Sequence, residues 1–327
     1  MRSAAFVFGR TILYWDTILL VLAAFVFALA LWSAYRANGG RASVLLVLVP
    51  LGAALGFVLA RGLYCVCHAE QFGSFAAALG DSSASSLCIF GAVLGFMIAA
   101  LLLRALGLVP DEALLLDCAA PALALGLALG RLSALFNGSC LGKVILRDAR
   151  FFRLPFAVPS AAADGGTEYR FAAFFAGALF LFLAFLLLLA RYGRLYPSSG
   201  EPKGRRGDVF LSFLLLFGAE ELIVDSVRND ASFLPFNAFI SLSQLLAAFA
   251  LLAVLLVYSR SAIRVRGARM SFLILWLIWA VGLCVVGVSE YLVQRHGDWY
   301  LGCYTLMSAA IALMLLCTAG LRRASRT

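Results

Sequence analysis

The stretch Leu114–Gly142, LLLDCAAPALALGLALGRLSALFNGSCLG, decides how the rest of the chain is read. It is apolar and long enough to enter a bilayer, yet it carries Asp117, Pro121, Arg131 and an Asn137-Gly138 pair. An ionisable side chain at mid-bilayer costs roughly 2.5–3.5 kcal/mol on insertion scales, so it persists only where protein or water satisfies it. Arg131 therefore requires a partner. Its guanidinium is a planar fork of five donors that suits a carboxylate or a phosphate, so both an internal ion pair and a ligand contact are open. Asn137-Gly138 supplies a turn where the helix ends.

Outward from this stretch, the 327 residues are 64% hydrophobic and 13% charged, with mean hydropathy +0.99. That composition excludes an ordinary soluble domain. A membrane helix needs about 20 mostly apolar residues, and nine segments qualify: 11–35, 43–67, 86–109, 113–136, 171–191, 209–228, 236–259, 271–294 and 302–321. The expected fold class is all-α, a polytopic helical membrane protein of about nine transmembrane helices. The first apolar run is too long for a signal-peptide core and is read as a retained span.

The net charge of +9 sets topology here rather than pointing to nucleic acid. The side holding the C-terminus carries 15 Lys and Arg and the other side 9, which predicts a cytoplasmic C-terminus and an outside N-terminus. Five of the nine (Lys143, Arg147, Arg150, Arg153 and Arg170) fall in one connection, residues 137–170. Attraction to anionic headgroups and a plain solvated basic loop both fit them. The eight cysteines show no zinc spacing, and no metal or cofactor is expected.

Glycines spaced by four, Gly52 and Gly56 in the second span and Gly91 and Gly95 in the third, predict close helix packing. The fifth span, almost featureless Phe, Leu and Ala, suits lipid exposure. The sixth, DVFLSFLLLFGAEELIVDSVRND, holds Glu220, Glu221, Asp225 and Arg228, of which positions 221, 225 and 228 share a helix face that must point inward. Either Glu221 or Asp225 can answer Arg131; alternatively the acids line a polar cavity. The last two spans read as carrying little chemistry, with Trp299, Tyr300 and an exposed His296 in their connection.

Asp117-x-x-Ala120-Pro121 followed by Gly130-Arg131, Asn137-Gly138 and Gly142 resembles the signature segment of the prolipoprotein diacylglyceryl transferase family. Weaker echoes follow in the family's order at Pro50–Tyr64, Leu215–Asp230 and Ser241–Gln244. The resemblance covers roughly residues 10–260 and divides the chain into a transferase-like domain, 1–260, and a two-helix membrane extension, 261–327. It implies an enzyme of the bacterial plasma membrane. The enzyme would move a diacylglyceryl group from phosphatidylglycerol to the thiol of the lipobox cysteine in a prolipoprotein signal peptide.

The resemblance implies Arg131 as phosphate clamp, Asp225 as a second catalytic residue, Asn137, Gly138, Gly142, Arg228 and Glu221 in substrate binding, with Asp225 and Arg228 on the second wall. The chain departs from the family pattern at several positions. Phe90 stands where the family has histidine, Ala134 for an asparagine, Phe217 for a tyrosine, Asp225 for a glutamate and Glu221 for an arginine. Phe171-Ala172-Ala173 replaces Leu-Tyr-Glu. His68 is the candidate substitute for the missing histidine, its ordinary pKa of about 6.5 suiting a proton acceptor. The alternative reading is a catalytically inactive relative that binds lipid or a partner.

Overall fold

The computed structural model describes the chain apart from residues 1–3, 9–10, 73, 75–76, 78–86, 146–154, 163–164, 198–202, 235–238, 298 and 326–327. Residues 80–86, a Ser-rich run before the third span, and Arg147, Arg150 and Arg153 lie outside the described residues. Among those described are nine helices of 17 to 26 residues: α1 (Trp15–Ala37), α2 (Ala42–Cys67), α3 (Ile89–Ala105), α4 (Glu112–Leu132), α5 (Ala173–Leu195), α6 (Asp208–Val227), α7 (Leu242–Arg266), α8 (Met270–Arg295) and α9 (Tyr300–Ala324). Seven are long and apolar enough to cross a membrane. The other two are α3, apolar but of only 17 residues, and α6, which carries Asp208, Glu220, Glu221 and Asp225. The all-α, multi-span fold is as the hydropathy predicts.

Two regions differ from the expectation. The first span begins at Trp15, not residue 11, because Ala4–Phe8 (β1) and Thr11–Tyr14 (β2) pair as an antiparallel hairpin. The connection after α4 is no simple loop: Val144–Ile145 (β3), Ala157–Ala161 (β4) and Thr167–Phe171 (β5) form a sheet of order β3-β5-β4.

Helix α4 is central, packed against α1, α3, α5 and α6. Its small residues Ala119, Ala120 and Ala124 are fully buried, which lets neighbouring backbones approach. Asp111 caps it, accepting a hydrogen bond from the Leu114 N–H at 3.0 Å. Asp117 does the same for α6: its carboxylate accepts from the N–H groups of Gly207, Val209 and Phe210 at 2.7–2.9 Å and from the Tyr196 hydroxyl at 2.8 Å. A helix start leaves orphan N–H groups that need acceptors, so this buried acid fixes where α6 begins.

Helices α2 and α3 meet through their glycines, as predicted. A Cβ on Gly91 or Gly95 would collide with the backbone of Ala60 or Gly56. The α8–α9 pair docks through α9 onto α6 and α7. At one end Arg322 forms an ion pair with Asp208, which also accepts from Tyr258 at 2.6 Å.

Candidate functional site

A cavity of about 470 Å³ lies among α1, α2, α3, α4 and the end of α6 that carries Arg228. Its long wall is apolar, built from α1, α2 and α3 by residues such as Ala23, Phe27, Gly52, Gly56, Ala92 and Phe96. Its polar end is lined by Arg131, Asn137, Ser139, Cys140, Asp225 and Arg228. The cavity thus combines an apolar lining with a cluster of charged and hydrogen-bonding groups.

Two ionic clusters build that end. In the first, Arg131, 5% exposed, donates through Nη2 to Glu220 at 3.0 Å and also to Glu221. Both bonds use one nitrogen, and Nε has no hydrogen-bond partner among the described residues. Both glutamates are buried and stand behind Arg131 rather than on the cavity wall. Gly177 of α5 makes room for the cluster: a Cβ there would lie 2.7 Å from a Glu220 oxygen and 2.9 Å from Arg131 Cδ. The fifth span therefore presents one face to the site, not only to lipid, and Glu220 joins as a partner that face-counting had left out.

In the second cluster, Asp225 accepts from Arg228 at 2.9 Å and from the Ser241 hydroxyl. Asp225 is thus not the partner of Arg131, although Glu221 is. Arg228 reaches on to Asp230 at 3.0 Å, and Asp230 accepts from the Cys140 N–H at 2.9 Å. With the Asn229 N–H donating to Leu141 at 2.8 Å and a bridge pairing Gly142 with Arg228, the segment after α4 is stitched to the end of α6. Burial works to raise the Asp230 carboxyl, but the charge and hydrogen bond of Arg228 and the local N–H groups outweigh it and hold it below its ordinary value. Burial also pushes up the nearby Cys140 thiol, against the opposing charge of Arg228.

The helical turn Ala134–Asn137 places the remaining groups. Asn137 donates to Asp16 at 3.4 Å and accepts from the Ser139 N–H and hydroxyl at 2.9 and 2.6 Å. Gly138 ends the turn at φ 72°, a left-handed conformation that glycine adopts freely. Gly142 is needed for a different reason, since a Cβ would meet that of Phe171 at 2.9 Å.

His68 falls just past α2. Its Nδ1 lies 3.1 Å from the Tyr64 carbonyl and its ring stacks on Tyr64 with centroids 4.1 Å apart. Tyr64 lines the cavity; His68 does not. At the departed positions, Phe90 packs on Phe217, ring centroids 4.8 Å apart. The sequence also gave no sign that Asp16 would reach Asn137 or that Ser241 would reach Asp225. The one available signal for Ser241 was the S-x-x-Q pattern, here a capping box at the start of α7.

Fold and site together define a multi-span membrane protein with a largely apolar cavity and buried arginine–carboxylate clusters at its polar end. Residues 3–260 match the prolipoprotein diacylglyceryl transferase family, and the chain belongs to it. Two proteins named phosphatidylglycerol-prolipoprotein diacylglyceryl transferase, from the BAV1 and CBDB1 strains of Dehalococcoides mccartyi, are each 27% identical to it over 232 residues, 70% of this chain and 83% of theirs.

Proposed function

We propose that this protein transfers a diacylglyceryl group from phosphatidylglycerol to the lipobox cysteine thiol of a prolipoprotein signal peptide. The observation that carries the reading is the cavity of about 470 Å³ with Arg131, Asn137 and Arg228 at its polar end. The thiol sulfur forms a C–S bond to the glyceryl carbon as that carbon's C–O bond to phosphate breaks. Glycerol phosphate leaves with the bonding electrons. Arg131 and Arg228 steady the charge on the leaving phosphate, where a fixed cation in a water-poor site is worth far more than in water. Asp225, on the cavity wall, is the proposed acceptor of the thiol proton, and Asn137, Gly138 and Gly142 shape the headgroup end. Glu221 acts through Arg131, anchoring its Nη2 together with Glu220. His68 acts through Tyr64, which it stacks upon.

In this reading the Arg228 end faces outward, the N-terminus is outside and the C-terminus cytoplasmic, in the plasma membrane of a bacterium. Residues 261–327 form an extension added to the transferase domain. The inactive-relative alternative is not favoured, because the replaced positions leave the cavity and both arginines in place.

The test is expression in bacteria depleted of their own transferase. Restored growth, with precursor lipoproteins gaining the mass of a diacylglyceryl group, is the expected result. Membrane-inserted protein that leaves the precursors unmodified, in cells and with phosphatidylglycerol vesicles, would refute it.

A further inference from the structure

The family match ends at residue 260, so α8 and α9 are additional to it. They read as chemically plain in sequence, but the structure corrects this. Glu290 of α8 is 3% exposed, and a carboxyl group among membrane helices is retained only where something satisfies it. One of its oxygens accepts from Gln294 at 2.9 Å, while Oε2 has no hydrogen-bond partner among the described residues. The side chains of Ser226 and Gln244 face it.

The contacts converge on the end of α6. The helix stops at Val227, so the Ser226 carbonyl is one of the last four, which have no intrahelical donor. The added helices supply two: Gln294 donates to it at 3.1 Å and Tyr304 at 3.2 Å. Ser226 is the residue after Asp225 and two before Arg228. A second route runs from Glu290 past Gln244, whose Oε1 holds the Ser241 N–H at 3.0 Å, to the Ser241 hydroxyl on Asp225. A third contact ties down the segment after α4, where Lys143 donates to the Val293 carbonyl at 3.4 Å and lies 4.3 Å over the Tyr300 ring.

We propose that α8 and α9 are a built-in brace for the site, with Glu290, Gln294 and Tyr304 as positioning residues that hold the Asp225–Arg228 pair against the cavity. The proposal rests on the reading that this pair belongs to the site. Orphan carbonyls at a helix end otherwise fray or recruit water. Capping them from a neighbouring helix fixes the exit of the chain and hence the direction of Arg228.

The full-length protein with Gln294→Leu and Tyr304→Phe together loses both donors to Ser226. The expected result is a kcat reduced about 10- to 100-fold, as for a small misplacement of reacting groups. KM for the donor lipid should stay within about twofold, because the apolar wall is untouched. Maleimide alkylation of Cys140, followed by mass spectrometry of its peptide, should accelerate as the Asp230 tether loosens. Glu290→Gln, which keeps shape and hydrogen bonding, should remain near wild type, and Glu290→Leu should behave like the double variant.

A folded double variant with wild-type kcat and Cys140 reactivity overturns the brace. Loss of activity only in proportion to lost folded protein overturns it as well. If the double variant does not fold, Tyr304→Phe alone decides by the same two readings. Were the wild-type chain to transfer nothing, the proposed function would fall, while the alkylation rates would still report on the brace.

Discussion

Phe90 and Phe217 pack ring against ring, 4.8 Å between centroids and 3% and 0% exposed. By the resemblance these positions correspond to a histidine and a tyrosine of the family pattern; here they hold an apolar pair in mutual contact. Phe90→His alone should destabilise the protein by about 1–3 kcal/mol, since it buries an imidazole against a phenyl ring without a partner. Adding Phe217→Tyr should recover about 1 kcal/mol of that through direct coupling. Thermal unfolding in detergent checks this; strictly additive losses would show that the two sites do not communicate.

Arg131 holds two buried carboxylates with one nitrogen, so removing it and altering it should have different consequences. Arg131→Ala leaves Glu220 and Glu221 buried without their cation, an expected loss of about 3–5 kcal/mol. Arg131→Lys keeps the charge but not the planar fork, and should cut transfer by about 10- to 100-fold in protein that still folds. Lipid transfer per folded molecule distinguishes the two; if the Lys variant transfers normally, the fork is not a phosphate clamp.

Gly177 predicts a steric effect on the same cluster. Gly177→Ala places a methyl against Glu220 and Arg131, and overpacking of this kind costs about 1–3 kcal/mol. Reduced activity together with a lower unfolding temperature is expected, whereas Gly193→Ala, whose Cβ would meet open space, should be silent.

Asp117 is the anchor of α6, far from the cavity in role. Asp117→Ala removes acceptors from three N–H groups and the Tyr196 hydroxyl, and should destabilise by at least about 1–3 kcal/mol. The remaining folded fraction should keep its KM for lipid. A selective rise in KM without loss of stability would place Asp117 in substrate binding instead.

Asp230 gives a pH prediction. Its carboxyl is held below its ordinary value by Arg228, so the charged form stabilises the folded state. That stabilisation is fully present above the unfolded value of about 3.9 and disappears as pH falls through the folded value. The side chain is 36% exposed, so the effect is small. Wild type should unfold at a higher temperature than Asp230→Asn near neutral pH, with the gap closing below about pH 4; a gap independent of pH would exclude this origin.

The sequence by itself determined the membrane class, the helices and the glycine contacts, because each depends on local quantities. Twenty apolar residues read as a span wherever they lie, and Gly91 or Gly95 permits close approach whatever the partner. It also showed that Arg131 needed a partner, a carboxylate or a ligand phosphate. Which partner was decided only by the tertiary structure, because Glu220 and Glu221 lie 89 and 90 residues away and the rotation of α6 about its axis assigns Asp225 elsewhere. Face-counting on one helix cannot see that a guanidinium between two adjacent glutamates reaches both. The pairing of Phe90 with Phe217, and the reach of Gln294 and Tyr304 to the Ser226 carbonyl, come from α6 packing against elements distant in the chain. A backbone carbonyl orphaned at a helix end leaves no mark in the sequence until the donor that satisfies it is seen beside it.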